Sequence, residues 1–188
     1  KHKLGEPARN YLKKRGIDQS MWEKFSLGFA PEGWENLGHF LTKRKFDLSE
    51  IAASGLVVVR EKANEGFYDR FRGRIIFPIA DFKGVVVGFS GRLLDDNKKE
   101  AKYINTPETQ LFHKGSLLFG LNLAKGEIRN KNFAVLVEGE FDVISLFQNG
   151  IGNVVASKGT ALTEKQVATL ASVCANVALC FDMDIAGD

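Results

Sequence analysis

The spacing of apolar residues changes along the chain, and its first section predicts short helices. In the first 55 residues, apolar clusters lie between helix start and stop signals, as Pro7 and Gly16 show for one cluster. Asp47 and Glu50 have capping-box spacing at the start of another helix. The large apolar residues between these helices are predicted to pack in the core: Trp22, Phe25, Trp34, Leu37 and Leu41.

From about Leu56 the pattern becomes that of β-strands. β-Branched and aromatic residues dominate three successive runs, GLVVVRE, GRIIFPIAD and GVVVGFSGRLL. The short DFKG segment joins the second run to the third, which predicts a hairpin. The polar stretch that follows contains Pro107, and it predicts mostly loop.

A third pattern begins at Lys131. Three continuous apolar runs, FAVLV, NVVAS and NVALCF, alternate with two amphipathic helical patterns. The second helical pattern opens with Thr163 and Gln166 at capping-box spacing. Continuous apolar runs separated by helices are typical of parallel strands that are buried on both faces. The order β-α-β-α-β therefore predicts a parallel sheet whose three strands point in the same direction.

Composition bounds the class of protein without assigning a function. The 188 residues are 44% hydrophobic and 26% charged, which is ordinary for one or two globular domains. No apolar run approaches the ~20 residues of a membrane-spanning helix, so we expect no membrane partner. The first residues lack an initiator Met and a signal-peptide core, which suggests a piece of a longer, cytoplasmic protein. Cys174 and Cys180 lie in apolar runs without metal-site spacing, and both are predicted to be buried thiols.

Charge is distributed unevenly between the two ends of the sequence. From Lys131 onward, three Lys and Arg residues oppose seven Asp and Glu residues, a net charge of −4. The preceding residues carry 23 against 16, a net charge of +7. Such a chain would suit a polyanion held beside a metal cation. A solvated surface with uneven charge explains the same counts, so charge alone assigns no function.

Acidic residues follow two of the predicted parallel strands. Glu138 comes directly after the first strand, and Asp182 and Asp184 come directly after the third. Parallel strands bring their carboxyl ends to one edge of the sheet, where α/β proteins bind ligands, so these carboxylates should converge. Crowded carboxylates need a cation, and their hard oxygens suit Mg²⁺. Asp142, in the first turn of the following helix, either supports this site or simply interacts with the helix dipole.

An isolated D-x-D pattern is a weak signal, because Asp is common in turns. Its combination with a Glu-Gly after the first strand is more specific. At this point the motifs VLVEGEFDVISL, VVASKGTALTEKQ and ALCFDMDIAGD resemble the Toprim domain, which bacterial primases share with topoisomerases, certain nucleases and recombination mediators. Upstream, YLKKRGI, FSLGFAPEGW, RFRGRIIFPIADFKGVVVGFSGRLL and KYINTPETQLFHKGSLLFGL resemble bacterial DnaG-type primases.

The resemblance implies an α/β chain with two parts. Residues 1–128 would form a basic α+β subdomain, and residues 129–188 would form a partial Toprim domain that is truncated at its C-terminal end. Glu138 would act in metal-assisted or acid–base chemistry, and Asp182 and Asp184 would bind Mg²⁺ or Mn²⁺. Further acidic ligands, a zinc-binding domain and the region that contacts the replicative helicase would lie outside this sequence.

The implied activity is that of a DNA-directed RNA polymerase. Such an enzyme synthesises short RNA primers from ribonucleoside triphosphates on a single-stranded DNA template. With part of the Toprim fold absent, this segment alone would have little or no polymerase activity.

Basic residues upstream of the acidic edge are candidate phosphate contacts. Arg70, Arg72 and Arg74 alternate, so in one extended strand their guanidinium groups would share a face and could grip phosphate oxygens. A solvated strand face is the alternative, and the resemblance favours the phosphate role. The resemblance adds further positions that would line a basic groove beside the acidic edge: Arg15, Arg92, Lys102, Tyr103, Asn105 and Lys114. Tyr103 would either stack on a base or pack ordinarily.

Two other function classes stay open at this stage. A topoisomerase or nuclease would use the same acidic edge, but a topoisomerase needs a nucleophilic Tyr, and the contexts of Tyr11, Tyr68 and Tyr103 suggest none. A non-enzymatic nucleic-acid-binding module would need neither Glu138 nor the D-x-D pattern. Neither class explains RGRIIFPI and KYINTPET as well as a primase does.

Overall fold

The computed structural model describes residues 2–60, 66–158 and 162–181. Its α-helices are α1 (Glu6–Lys14), α2 (Gln19–Lys24), α3 (Asn36–Lys43), α4 (Leu48–Ala53), α5 (Leu121–Lys131), α6 (Glu140–Gln148) and α7 (Glu164–Ala171). Its strands are β1 (Gly28–Ala30), β2 (Val57–Val59), β3 (Phe67–Asp69), β4 (Arg74–Ala80), β5 (Val86–Leu93), β6 (Tyr103–Asn105), β7 (Phe133–Val137), β8 (Val154–Ala156) and β9 (Asn176–Leu179). Short 3₁₀ helices span Lys3–Gly5 and Lys114–Ser116.

The chain forms two compact units. One contains the residues up to Pro78 together with Val87–His113, and the other contains Ile79–Val86 together with the residues from Lys114 onward. The mixed α/β class predicted from the sequence is confirmed. The domain boundary placed after residue 128 stays a prediction, and it falls within α5. Among the described residues, no helix combines the length and the apolar character that a membrane crossing requires.

The first unit contains most of a four-stranded sheet in the order β1-β4-β5-β6. β1 runs antiparallel to β4, and β6 runs antiparallel to β5. Along β4 the side chains of Ile75, Phe77 and Ile79 are fully buried and alternate with less buried neighbours, as expected of a strand with one face in the core. The predicted hairpin between β4 and β5 is present, and Gly84 at its tip has a φ of 97°.

The predicted helices of the first unit are present, with one of the expected capping boxes at α4. Ile51 of α4 packs against Val57 of β2 and Phe67 of β3, the two strands of a small antiparallel sheet. The prediction of core packing holds for Phe25 but is wrong for Trp34, which is 59% exposed. Trp34 lies between β1 and α3, where its ring contacts the ring of Tyr68 at a centroid distance of 6.0 Å.

The second unit contains the predicted parallel sheet. Its strand order is β8-β7-β9, and β7 pairs in parallel with both neighbours. β8 is buried along its whole length, but β9 is mostly exposed, with Leu179 at 61%. Burial on both faces was therefore a correct prediction for β8 and a wrong one for β9. Both strands lie at edges of this sheet among the described residues, but β8 packs against α5 and α6, whereas β9 contacts mainly β7.

The two cysteines differ in the same way. Cys174, which follows α7, is buried as predicted, whereas Cys180, which follows β9, is exposed. The prediction that Cys180 is a buried thiol is therefore wrong. An apolar run does not reveal whether other elements of the fold cover its strand.

Gln166 is a fully buried polar residue that joins α7 to the strand layer. Its side-chain oxygen accepts a hydrogen bond from the Thr163 N–H at 3.1 Å, which completes the predicted capping box. Its amide nitrogen donates to the carbonyl oxygens of Leu117 at 2.9 Å and Ser157 at 3.4 Å. Buried polar groups are stabilising only when such partners are present.

Replacing Gln166 by Ala should lower the free energy of unfolding by about 2–3 kcal/mol, because two buried carbonyl oxygens lose a donor and a small cavity forms. The neighbouring exposed residue offers a control, and Lys165→Ala should change stability by no more than about 0.5 kcal/mol. Urea unfolding followed by circular dichroism measures both variants. Equal stability of Gln166→Ala and the control would contradict the role assigned to the amide.

Candidate metal and nucleic-acid site

Glu138 lies at the carboxyl edge of the parallel sheet, as predicted. It follows β7 directly, and Gly139 separates it from the first residue of α6. Its backbone oxygen accepts a hydrogen bond from the Lys158 N–H at 3.0 Å, one step beyond the last paired residues of β7 and β8. The strand pairing thus determines where this half-buried carboxylate leaves the sheet.

A cavity of about 260 Å³ opens at this edge, and Glu138 and Asp142 both line it. Asp142 also accepts a hydrogen bond from the Gly139 N–H at 3.0 Å, so it caps α6 from within the first turn. A role of Asp142 at the helix start and a role in the site therefore do not exclude each other, because the residue caps the helix and borders the cavity. Two carboxylates with hard oxygen donors fit a divalent cation that keeps several of its waters.

Asp182 and Asp184 lie outside the described residues, and their convergence with Glu138 stays a prediction. The described chain leads toward the same edge, because the Cys180 N–H donates to the Leu136 oxygen of β7 at 2.8 Å. Cys180 itself lines the cavity beside Glu138. Within the part of the chain that the structure describes, no group of three or more His, Cys, Asp and Glu residues could hold a metal ion.

A buried ion pair between Lys158 and Glu140 lies at the same edge, and the sequence analysis did not predict it. The Lys158 Nζ lies 3.0 Å from the Glu140 Oε1, and each side chain is only 5% exposed. Burial lowers the pKa of the Lys158 ammonium, the Glu140 carboxylate opposes this effect, and the charge of Lys114 adds to it. Lys114, a predicted phosphate contact in the second 3₁₀ helix, is thus electrostatically coupled to this edge. The available signal was a Lys placed two residues after a buried strand.

The prediction that Arg70, Arg72 and Arg74 share the face of one strand is wrong. β3 ends at Asp69 and β4 begins at Arg74, and Gly73 between them has a φ of 60°, outside the extended region. Nevertheless all three arginines line one cavity of about 250 Å³ in the first unit, together with residues of both sheets. Their convergence therefore comes from the bend between the strands.

The three arginines of this cavity have different surroundings. Arg74 is 2% exposed, and its guanidinium donates to the carbonyl oxygen of Ala101 at 2.9 Å and to the carboxylate of Glu100 at 3.3 Å. The Arg70 Nε donates to the Gly55 oxygen at 2.8 Å. Burial lowers the pKa of both groups, but a guanidinium stays charged in proteins. Arg70 and Arg74 therefore also hold neighbouring segments together.

Arg72 contacts the rings of Trp34 and Tyr68, and Trp34 is a residue predicted to pack in the core. Its guanidinium carbon lies 4.4 Å from the ring centroid of Trp34 and 5.2 Å from that of Tyr68. A guanidinium in this position is attracted by the ring quadrupole. Because Trp34 is largely exposed, the pair presents a stacking surface and a positive charge together. The sequence did not indicate that Trp34 is exposed, because exposure depends on tertiary packing.

A second basic cluster forms around Tyr11. Arg92 is fully buried, and its guanidinium carbon lies 4.5 Å from the Tyr11 ring centroid and 6.0 Å from that of Tyr103. The Arg15 Nε donates to the Tyr11 hydroxyl at 2.9 Å. Arg92 also pairs with Asp96 at 3.1 Å. Arg15, Arg92 and Tyr103, which lie far apart in sequence, are thus neighbours in the first unit.

Lys102, Tyr103 and Asn105 belong to the edge of the four-stranded sheet. Tyr103 lies opposite Arg92 and Asn105 lies opposite Ser90 in the pairing of β5 with β6. Lys102 and Tyr103 are exposed, whereas Asn105 is half-buried. Their proposed contact with nucleic acid stays a prediction.

Comparison with known proteins agrees with the resemblance on which the site was predicted. Residues 1–125 match the family described as DNA primase catalytic core, N-terminal domain, and residues 135–188 match a family described as Toprim-like. A DNA primase from Clostridium acetobutylicum is 45% identical over 182 residues, and one from Synechococcus elongatus is 46% identical over 187 residues. These alignments cover 96% and 97% of this chain, but only 29% and 26% of the relatives' length.

Solved structures show the same likeness at the level of the fold. The RNA polymerase domain of the Mycobacterium tuberculosis primase DnaG matches with a TM-score of 0.90 and 39% identity, covering 99% of this chain and 62% of that one. A DnaG primase catalytic domain bound to single-stranded DNA matches with a TM-score of 0.86 and 39% identity, covering 100% of this chain and 57% of that one. The chain therefore belongs to the family of bacterial DNA primase catalytic cores and continues into a Toprim-like segment.

Proposed function

We propose that this chain is part of a DNA primase that makes short RNA primers from ribonucleoside triphosphates during DNA replication. Membership of the primase core family carries the proposal, because the match to that family covers residues 1–125. The chain spans less than a third of the length of the two primases compared above, so the activity is that of the longer protein. Nucleotide addition would be a nucleotidyl transfer that needs metal-assisted catalysis at a carboxylate site.

Glu138, Asp182 and Asp184 would hold Mg²⁺ or Mn²⁺ at the carboxyl edge of the parallel sheet, with Asp142 beside them. A bound divalent ion would neutralise phosphate charge and assist attack of the primer 3′-hydroxyl on the α-phosphorus, with pyrophosphate as the leaving group. The position of Glu138 on the wall of a cavity that Asp142 also lines supports this assignment. A zinc-binding region and the contact with the replicative helicase would belong to other parts of the longer protein, and we propose a cytoplasmic location.

Single-stranded template DNA would contact the first unit through exposed aromatic and basic side chains. Arg72 and Trp34 together offer a charge for a phosphate and a ring for a base. Lys102 and Tyr103 are exposed at the edge of the four-stranded sheet and extend the same chemistry. The buried Arg74 and Arg92 would support this surface, because their donors are directed at backbone oxygens and carboxylates of the unit itself.

Replacing Glu138 by Gln in the full-length protein should lower primer synthesis by roughly 10²-fold or more, because the variant loses a charged ligand and base. The fold should persist, since the substitution keeps the size of the side chain. A radiolabelled-primer assay on single-stranded DNA measures the activity, and thermal unfolding checks the fold. Glu164→Gln is the control, because it makes the same chemical change at an exposed carboxylate at the start of another helix in the same unit. Normal activity of Glu138→Gln would refute the catalytic assignment.

Replacing Trp34 by Ala should weaken binding of a single-stranded oligonucleotide by about 1–3 kcal/mol, because one base loses its stacking partner. The salt dependence of binding should stay unchanged.

Replacing Arg72 by Ala should also weaken binding, and it should reduce the slope of log affinity against log salt by about 1. Fluorescence anisotropy at several salt concentrations measures both quantities.

Arg44 provides the control for the stacking surface. Its guanidinium lies 5.0 Å from the ring centroid of Phe40, so it has a similar arrangement at a different place in the first unit. Arg44→Ala should leave the oligonucleotide affinity within about twofold of the unmodified protein, as expected for a charge outside the contact surface. If Trp34→Ala binds DNA as tightly as this control, the stacking role is wrong.

A further inference from the structure

The buried ion pair between Glu140 and Lys158 connects two segments that flank Glu138. Glu140 is the first residue of α6, and Lys158 lies two residues beyond the end of β8. Their charged atoms are 3.0 Å apart, and both side chains are 5% exposed. Removing two charges from water is unfavourable, and an apolar pair of similar size is often at least as stabilising. Stability alone therefore does not account for a charged pair at this place.

Lys158 also contacts the same segment through its backbone. Its N–H donates to the Glu138 oxygen at 3.0 Å. The other end of that peptide group, the Gly139 N–H, donates to the Asp142 carboxylate at 3.0 Å. Both polar atoms of the peptide that follows Glu138 are thus held, so the backbone from which the Glu138 side chain projects has a defined orientation.

The backbone of Lys158 is in the left-handed region, with a φ of 69°. This conformation is unfavourable for a residue with a Cβ, and it persists only where surrounding contacts impose it. Two contacts of Lys158 are of that kind, because its N–H binds Glu138 and its ammonium binds Glu140. One residue at the end of β8 therefore holds the start of α6 on both sides of Gly139.

We propose that Lys158 is a positioning residue for Glu138. Its ion pair with Glu140 holds the first turn of α6 against the end of β8, so that the Glu138 carboxylate keeps its place on the wall of the cavity that Asp142 also lines. The inference rests on the proposed function, in which Glu138 binds a divalent metal. Groups that orient a metal ligand typically change metal affinity by about 10–100-fold when they are lost.

The test replaces both charged residues in the full-length protein, Lys158→Met together with Glu140→Met. This double variant leaves no unpaired buried charge, so it should fold. Mn²⁺ binding without DNA or nucleotide, measured by electron paramagnetic resonance of free Mn²⁺, should weaken by about tenfold or more. The Mg²⁺ concentration that gives half-maximal primer synthesis should rise by a similar factor.

The matched control removes an ion pair that lies within a different helix of the same unit. Lys131 and Glu127 form an exposed pair within α5 at 2.6 Å, in the same unit. Lys131→Met together with Glu127→Met should leave Mn²⁺ affinity unchanged. Lys158→Arg, which keeps the charge at position 158, should retain most of the Mn²⁺ affinity. If the Lys158 and Glu140 double variant binds Mn²⁺ as the unmodified protein does, the positioning role is overturned.

Glu140→Gln is measured in parallel, so that the test does not depend on folding of the double variant. Its expected result is also weaker Mn²⁺ binding, and unmodified affinity in this variant overturns the proposal equally. Glu138→Gln distinguishes a failure of the positioning role of Lys158 from a failure of the proposed metal site. If Glu138→Gln loses Mn²⁺ binding and primer synthesis while the double variant retains Mn²⁺ affinity, only the role of Lys158 fails. If Glu138→Gln keeps both, the proposed metal site itself is wrong.

Discussion

The parallel pairing of β7 with β8 and β9 is the constraint on which the acidic edge depends. In this register Val137 pairs with Ala156, and Leu136 pairs with Leu179. All three strands therefore end within a residue or two of one another. Because parallel strands share a direction, the residues that follow them lie at the same edge of the sheet, at the carboxyl ends of the strands. Glu138 leaves the sheet at that point, and the chain that leads toward Asp182 does so one strand away.

The first turn of α6 adds a second constraint at this edge. Glu140 and Asp142 lie in that turn, where the unpaired N–H groups and the helix dipole favour negative charge. Each is held by a specific partner, Glu140 by the Lys158 ammonium and Asp142 by the Gly139 N–H. The acidic edge is thus partly neutralised by the protein itself, and Glu138 stands between groups that are already fixed.

In the first unit, guanidinium groups serve both the fold and the surface. Arg74 and Arg92 are buried and direct their donors at backbone oxygens and carboxylates, which is possible because each guanidinium carries five N–H donors. Arg72 lies on the exposed ring of Trp34. The same residue type therefore fills different roles within a short segment, and burial rather than spacing separates them. This is the physical reason why an alternating arginine pattern is ambiguous in sequence.

Local patterns of the sequence determined many elements of this protein, although β1, β3 and α5 were not among those predicted, and the family was inferred from the resemblance of its motifs. Continuous apolar runs, capping boxes and glycine turns act over a few residues, so the β-α-β-α-β order and the position of Glu138 were readable directly. Tertiary structure alone decided burial and partnership, because these depend on residues distant in sequence. It exposed Trp34 and Cys180, and it paired Lys158 with Glu140 across the sheet edge.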